Sequence, residues 1–138
     1  MTRKALLCVF FLAVNLVASA SPDSISAARS ASTEFLAMVD GLKYQDSWSE
    51  TSLLLQDAVI EADWVKHLDS IRSPLGNVES RKFEASEFQE SLEGLPDGEY
   101  VILIFESSYE NRKYVVSEIV ALAKEADSSW RVVGYYFD

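Results

Sequence analysis

The sequence predicts an α+β domain: three N-terminal helices packed on a four-stranded antiparallel meander. Three observations carry that reading. From residue 24 to residue 71, apolar side chains recur every three or four positions, the period of an amphipathic helix. From residue 77 onward the period shortens, and strand-like runs are separated by clusters of turn-forming residues. Between Pro96 and Phe137, three apolar runs follow one another too closely for anything but hairpin connections.

The first twenty residues predict a secretory signal and not part of the fold. Arg3 and Lys4 make a basic start, an apolar run follows over residues 5–17 with Asn15 as its single break, and Ala18-Ser19-Ala20 offers the small residues a signal peptidase requires. The apolar run is short for a membrane span, so a cleaved signal is expected with no stable membrane anchor afterwards. Cys8 lies inside that run, behind Leu7, which does not fit lipid attachment at the cleavage point. One domain over residues 21–138 remains, and it contains no cysteine. An exported domain without disulfides must be held by packing.

Removing Arg3 and Lys4 leaves ten basic residues against 22 acidic ones, a net charge of −12. That balance disfavours nucleic acid and anionic lipid and suits a basic protein partner. It also serves solubility alone.

The elements follow in order. Ala28, Ala31, Phe35, Met38, Val39 and Leu42 predict a helix over residues 24–40, with Gly41 near its end. Tyr44, Trp48, Thr51, Leu55 and Ala58 predict a second, its start favoured by Asp46 and Ser47. Trp64, Leu68 and Ile71 predict a third over residues 61–72, weakly capped because Ile60 stands where Ser or Asp is expected. Ser73-Pro74-Leu75-Gly76 stops it, since proline cannot continue a helix. Val78, Phe83 and Phe88, interleaved with Glu79, Arg81, Lys82, Glu84 and Glu87, predict an outer strand protected by charge. Leu95-Pro96-Asp97-Gly98 is a turn. Strands are then expected over residues 100–109, 113–123 and 130–137.

Both faces of this meander read as apolar. One face is expected to carry Ile102, Ile104, Glu106, Val116, Glu118, Val120, Leu122, Trp130, Val132, Gly134 and Tyr136. The other is expected to carry Val101, Leu103, Phe105, Tyr109, Val115, Ile119, Ala121, Val133, Tyr135 and Phe137. A sheet with one solvated face alternates more cleanly. Helices therefore cover one face, and the other is expected to meet a pocket, a second copy or another protein.

The combination of Ser47-Trp48, Trp64-Val65-Lys66, Arg72-Ser73-Pro74-Leu75-Gly76, Ser80-Arg81, Gly94-Leu95-Pro96-Asp97-Gly98-Glu99-Tyr100 and Trp130-Arg131-Val132-Val133-Gly134-Tyr135 resembles the DUF4019 family. The resemblance spans most of residues 21–138 and implies a small exported domain, typically bacterial, with no established activity. The chain departs from it at Ile60 and at Glu118, where Thr or Val is expected. The closing strand is also similar to the last strand of cystatin-like and NTF2-like folds, in which helices pack on a curved antiparallel sheet. A likeness of fold carries no function.

Catalytic signatures are sparse. His67 is the single histidine, so a zinc site would need carboxylates at spacing the sequence does not offer, and Ser-His-Asp chemistry would have to use His67 with no Gly-x-Ser-x-Gly elbow present; phosphate loops and dinucleotide fingerprints are absent, and no cofactor or metal is expected. Glu106 and Glu118, on neighbouring strands, are expected to share a face if the turn is tight, which would make them a coupled acid–base pair. Arg72, Arg81 and Arg131 stand out in an acidic chain as forks for a carboxylate, with helix-capping and ion-pair roles as the plain alternative. Tyr135, closing the last motif, joins them as a binding candidate. Trp48, Trp64 and Trp130 fit core positions. The leading functional expectation is an exported, non-enzymatic binding domain with a basic protein partner, of the inhibitor or immunity type. The alternatives are a pocket for a small apolar ligand, an NTF2-like enzyme using Glu106 and Glu118, and a homodimer that consumes the spare face.

Overall fold

A computed structural model describes residues 21–138; the expected signal segment lies outside the described residues. Helix α1 (Pro22–Asp40) starts two residues before the apolar period does. Ser21 caps it by accepting from the Ser24 N–H at 3.2 Å, and Pro22 occupies the first turn. Its buried stripe is Ala28, Ser32, Phe35, Leu36 and Val39. The stop is not made by Gly41. The Leu42 N–H bonds to the Val39 carbonyl and the Lys43 N–H to the Met38 carbonyl, a Schellman closure in which Leu42 (φ 60°) takes the left-handed position usually given to glycine.

The expected second helix is broken. In place of one run there are α2 (Tyr44–Ser47), a 3₁₀ turn (Trp48–Glu50) and α3 (Leu53–Ala58). The hydroxyls explain the break. Ser47, Ser49 and Thr51 bond back to the carbonyls of Tyr44, Asp46 and Trp48, and Ser52 caps a new helix by accepting from the Leu54 N–H. Between the pieces, Thr51 bridges Val132 in parallel, and the Ser52 N–H donates to the Val132 carbonyl at 2.7 Å. Helix α4 (Glu61–Arg72) has the expected bounds. Ile60 gives it no side-chain cap, and Glu61 and Asp63 meet the positive end of the helix dipole instead. The described residues thus hold four α-helices where three were expected.

The sheet has the order β1 (Val78–Gln89), β2 (Tyr100–Tyr109), β3 (Val116–Lys124), β4 (Trp130–Phe137), antiparallel throughout. The fold is therefore α+β with a four-stranded antiparallel sheet. β1 and β4 are the edges, and β1 is the charged outer strand the sequence predicts. The helices supply Ala28, Phe35, Leu36, Val39, Tyr44, Trp64 and Leu68 to a core completed by Val101, Leu103, Phe105, Val120, Leu122, Val132 and Tyr135 of the sheet. These strand residues share one face, called inner here.

The faces differ from the alternation expected along the chain. Glu106 pairs with Ser117, and Glu118 with Phe105, so Glu106 and Glu118 point to opposite sides of the sheet. The connection after Tyr109 is one residue out of step with the tight turn assumed, and a one-residue shift inverts every side chain of the next strand. β4 carries a second displacement: its register slips where Gly134 faces Ala121 and Val132 faces Leu122, leaving Val133 as the bulged residue. The outer face accordingly holds Ile102, Ile104 and Glu106 with Ile119, Ala121, Ala123, Gly134 and Tyr136.

Candidate functional site

Two features compete for a function: a buried polar cluster on the inner face and the apolar outer face. The cluster begins with Glu118, which alternation in β3 aims into the core beside Val120 and Leu122, where it is fully buried. An ionised carboxylate there survives only if its oxygens are fully partnered. Ser107 and the Arg81 Nε donate to one oxygen at 2.8 and 2.5 Å. Tyr109, Tyr135 and the second arm of Arg81 donate to the other, at 2.5, 2.5 and 3.2 Å. Arg81 in turn forks onto Asp40, the last residue of α1, with bonds of 2.8 and 2.9 Å. Arg72 at the end of α4 donates to the same carboxylate at 2.8 Å and to the Tyr135 hydroxyl at 3.2 Å.

Two cations and two anions balance. Burial acts to raise the Glu118 pKa, but Arg81 and the two phenols outweigh it and hold the carboxyl below its usual range. Asp40 follows the same pattern, with burial opposed by Arg81 and Arg72. Burial, reinforced by the Glu118 charge, pushes the Tyr109 phenol up to about 12 and raises Tyr135 as well. At neutral pH the cluster is thus a fixed ionic knot with neutral phenols. Its one orphan is the buried Arg72 Nε, which finds no partner while the guanidinium carbon stands 4.9 Å from the centre of the Tyr109 ring. Chemically, the knot ties α1 and α4 to all four strands. Glu118 has no free oxygen to offer a substrate and no open path to one.

The expected site residues therefore divide. Arg72, Arg81, Glu118 and Tyr135 converge in the cluster. Glu106 stands on the outer face, opposite Lys82 in register. Arg131 donates to the Ser49 carbonyl at 2.8 Å and sits 3.8 Å from Glu50, fastening the 3₁₀ turn to β4. Of the two structural alternatives, the ion pair of Arg131 is present, whereas Arg72 meets the Asp40 carboxylate and the Tyr135 hydroxyl and not the last carbonyls of its helix. Asp40, Ser107 and Tyr109 complete the cluster without having been singled out. Asp40 carried a legible signal, because a carboxylate at the C-terminal end of a helix opposes the dipole and needs a cationic partner. Ser107 and Tyr109 follow only from the sheet register.

The outer face is chemically plain. Ile102 and Ile104 are half-buried and Tyr136 is 47% exposed. Ile119, Ala121 and Ala123 are buried beside their cross-strand partners, Ile119 between Ile104 and Tyr136. None of these six residues belongs to the core packed by the helices. Glu106 and Glu87 lie at its margin toward β1, with Lys82 of β1 directly opposite Glu106.

Neither the curated proteins nor the solved structures give a match to this chain. A family model does, over residues 31–135, and its description is a protein of unknown function. That span takes in α2, α3, α4, the whole sheet nearly to its last strand's end, and every member of the buried cluster, so the chain belongs to the DUF4019 family.

Proposed function

We propose that this chain is an exported, non-enzymatic recognition domain that docks a basic protein on the outer face of its sheet, as an inhibitor or immunity-type protein does. The observation that carries the reading is the apolar strip on the face away from the helices, where Ile102, Ile104 and Tyr136 are partly exposed over the buried Ile119 and Ala121, none of them packed into the helix-covered core among the described residues. Apolar patches with a polar rim mark interaction surfaces. The net charge of −12 over residues 21–138 favours a cationic partner and speeds its encounter. Glu118, sealed and fully hydrogen-bonded, supports recognition over catalysis. Export rests on Arg3, Lys4, the apolar run after them and Ala18-Ser19-Ala20. Helices against one side of an antiparallel sheet also support the cystatin-like and NTF2-like fold reading, which adds nothing about the partner.

The test is capture from an envelope extract of the source cell, using residues 21–138 as bait beside an Ile104→Lys variant. The reading expects a basic protein held saturably by the natural chain and at least about ten-fold more weakly by the variant, a loss of about 1.4 kcal/mol. Equal capture by both baits contradicts it. So does a concentration-dependent dimer that Ile104→Lys dissolves, because a second copy then occupies the face.

A further inference from the structure

Among the described residues, the edge of β4 combines open backbone groups with a side-chain cleft. The Asp138 N–H donates to the Ser117 carbonyl at 2.9 Å, which fixes the phase of the ladder: Tyr136 and Gly134 turn their backbone groups toward β3, and Tyr135 and Phe137 turn theirs outward. Farther up the edge, the outward carbonyl of Val132 is taken by Ser52. Below the bulge at Val133 no strand continues the pairing among the described residues. The Tyr135 carbonyl meets only the exposed His67 ring, with Nε2 at 3.4 Å. Alongside runs a cleft of about 420 Å³ between α3, α4 and the edge, lined by Leu55, Val59, Trp64, His67, Gly134 and Tyr136. Asp63 is the carboxylate in its lining.

We propose that this edge accepts an extended segment of a partner protein as a fifth strand. The segment places a large apolar side chain in the cleft and a Lys or Arg beside Asp63. The Tyr135 and Phe137 N–H groups and the Phe137 carbonyl supply the main-chain bonds, and His67 swings aside to release the Tyr135 carbonyl. Strand addition of this kind draws affinity from the backbone and selectivity from pockets that read alternate side chains. The occupant is a basic segment because the cleft offers a carboxylate in a strongly acidic domain. The inference rests on the recognition reading in taking the occupant to be protein, but it uses the β4 edge and its cleft, which adjoin the outer face at Gly134 and Tyr136.

The experiment selects seven-residue peptides from a randomised display library against residues 21–138, then maps the enriched peptides by amide chemical shifts. Three companions are run: the same peptides with alternate backbone nitrogens methylated, a Val59→Lys variant, and the Ile104→Lys variant. Val59 lines the cleft without belonging to the core or to the residues packed against it. The expected result is enrichment of apolar sequences bearing Lys or Arg, with shifts at the Tyr135 and Phe137 amides and the Trp64 indole. Methylation and Val59→Lys should each weaken binding at least about ten-fold, and Ile104→Lys should leave it unchanged. The proposal is overturned if nothing is enriched, if the shifts fall elsewhere, or if methylated peptides bind equally well, which would make the cleft a site for an apolar group alone. Sensitivity to Ile104→Lys with indifference to Val59→Lys would overturn the edge while leaving the outer-face reading intact.

Discussion

Glu118 is the residue on which the interior turns. Removing one partner of a buried ion pair strands the other charge and typically costs about 3–5 kcal/mol. Glu118→Gln should therefore lower the unfolding free energy by roughly that amount in urea titration, because an amide cannot satisfy Arg81. The pH dependence follows from the signs. Glu118 and Asp40 are held below their ordinary values of 4.5 and 3.8, so their contribution is complete above those values and is lost as pH falls through the lowered ones. The urea midpoint of the natural chain should fall with acid below about 4.5, and that of Glu118→Gln should fall less steeply. The Tyr109 phenol moves the other way. Its contribution is complete below 10 and lost as pH rises through about 12, so Tyr109→Phe should flatten the alkaline limb of the same curve. Leu42, 70% exposed at φ 60°, gives an opposite case. The left-handed region costs a side-chain-bearing residue about 1–2 kcal/mol, so Leu42→Gly should stabilise the domain by about 1 kcal/mol once the greater freedom of unfolded glycine is subtracted.

At the scale of elements, the link from α4 to β1 is the most constrained. Gly76 sits at φ 72°, ψ −157°, a region essentially reserved for glycine. A Cβ there would meet Asn111 Nδ2 at 2.9 Å and Glu110 Oε2 at 3.0 Å. Gly76→Ala should cost at least about 1–3 kcal/mol in chemical denaturation. The turn-maker reading of Ser73-Pro74-Leu75-Gly76 was legible because proline and glycine act locally. The bounds of α4, β2 and β4 were legible for the same reason, since period and punctuation lie within each segment. The break after Ser47 was harder. An apolar period of 3.6 continues across Trp48, Thr51 and Leu55, and only the density of hydroxyls at Ser47, Ser49, Thr51 and Ser52 argues against one helix. The pairing of Glu106 with Glu118 failed for a longer-range reason. Which face a strand presents depends on the register set by its connection, and an error of one residue moved Glu118 from the expected acid–base pair to the centre of the core. Arg72, Arg81 and Tyr135 could be picked out as unusual, but their meeting point required the fold.

Across the whole molecule, the two sides of the sheet have been given different work. The inner side carries helices, an apolar core and a polar knot whose groups, save the Arg72 Nε, satisfy one another. The outer side carries isoleucines, small residues and one exposed tyrosine, with carboxylates at the margin. Ile104 lies outside the helix-packed core but is half-buried opposite Ile119 on a central strand, so Ile104→Lys should cost about 1 kcal/mol of stability, leaving the domain folded, while it weakens partner capture. Hydroxyl-radical footprinting of the chain, free and bound to its captured partner, reads this division directly. Tyr136 and Ile104 should be labelled in the free chain and protected in the complex, while Tyr135, on the inner face, stays unlabelled in both. Protection of Tyr136 in the free chain, or labelling unchanged by the partner, would contradict the assignment of the outer face to recognition.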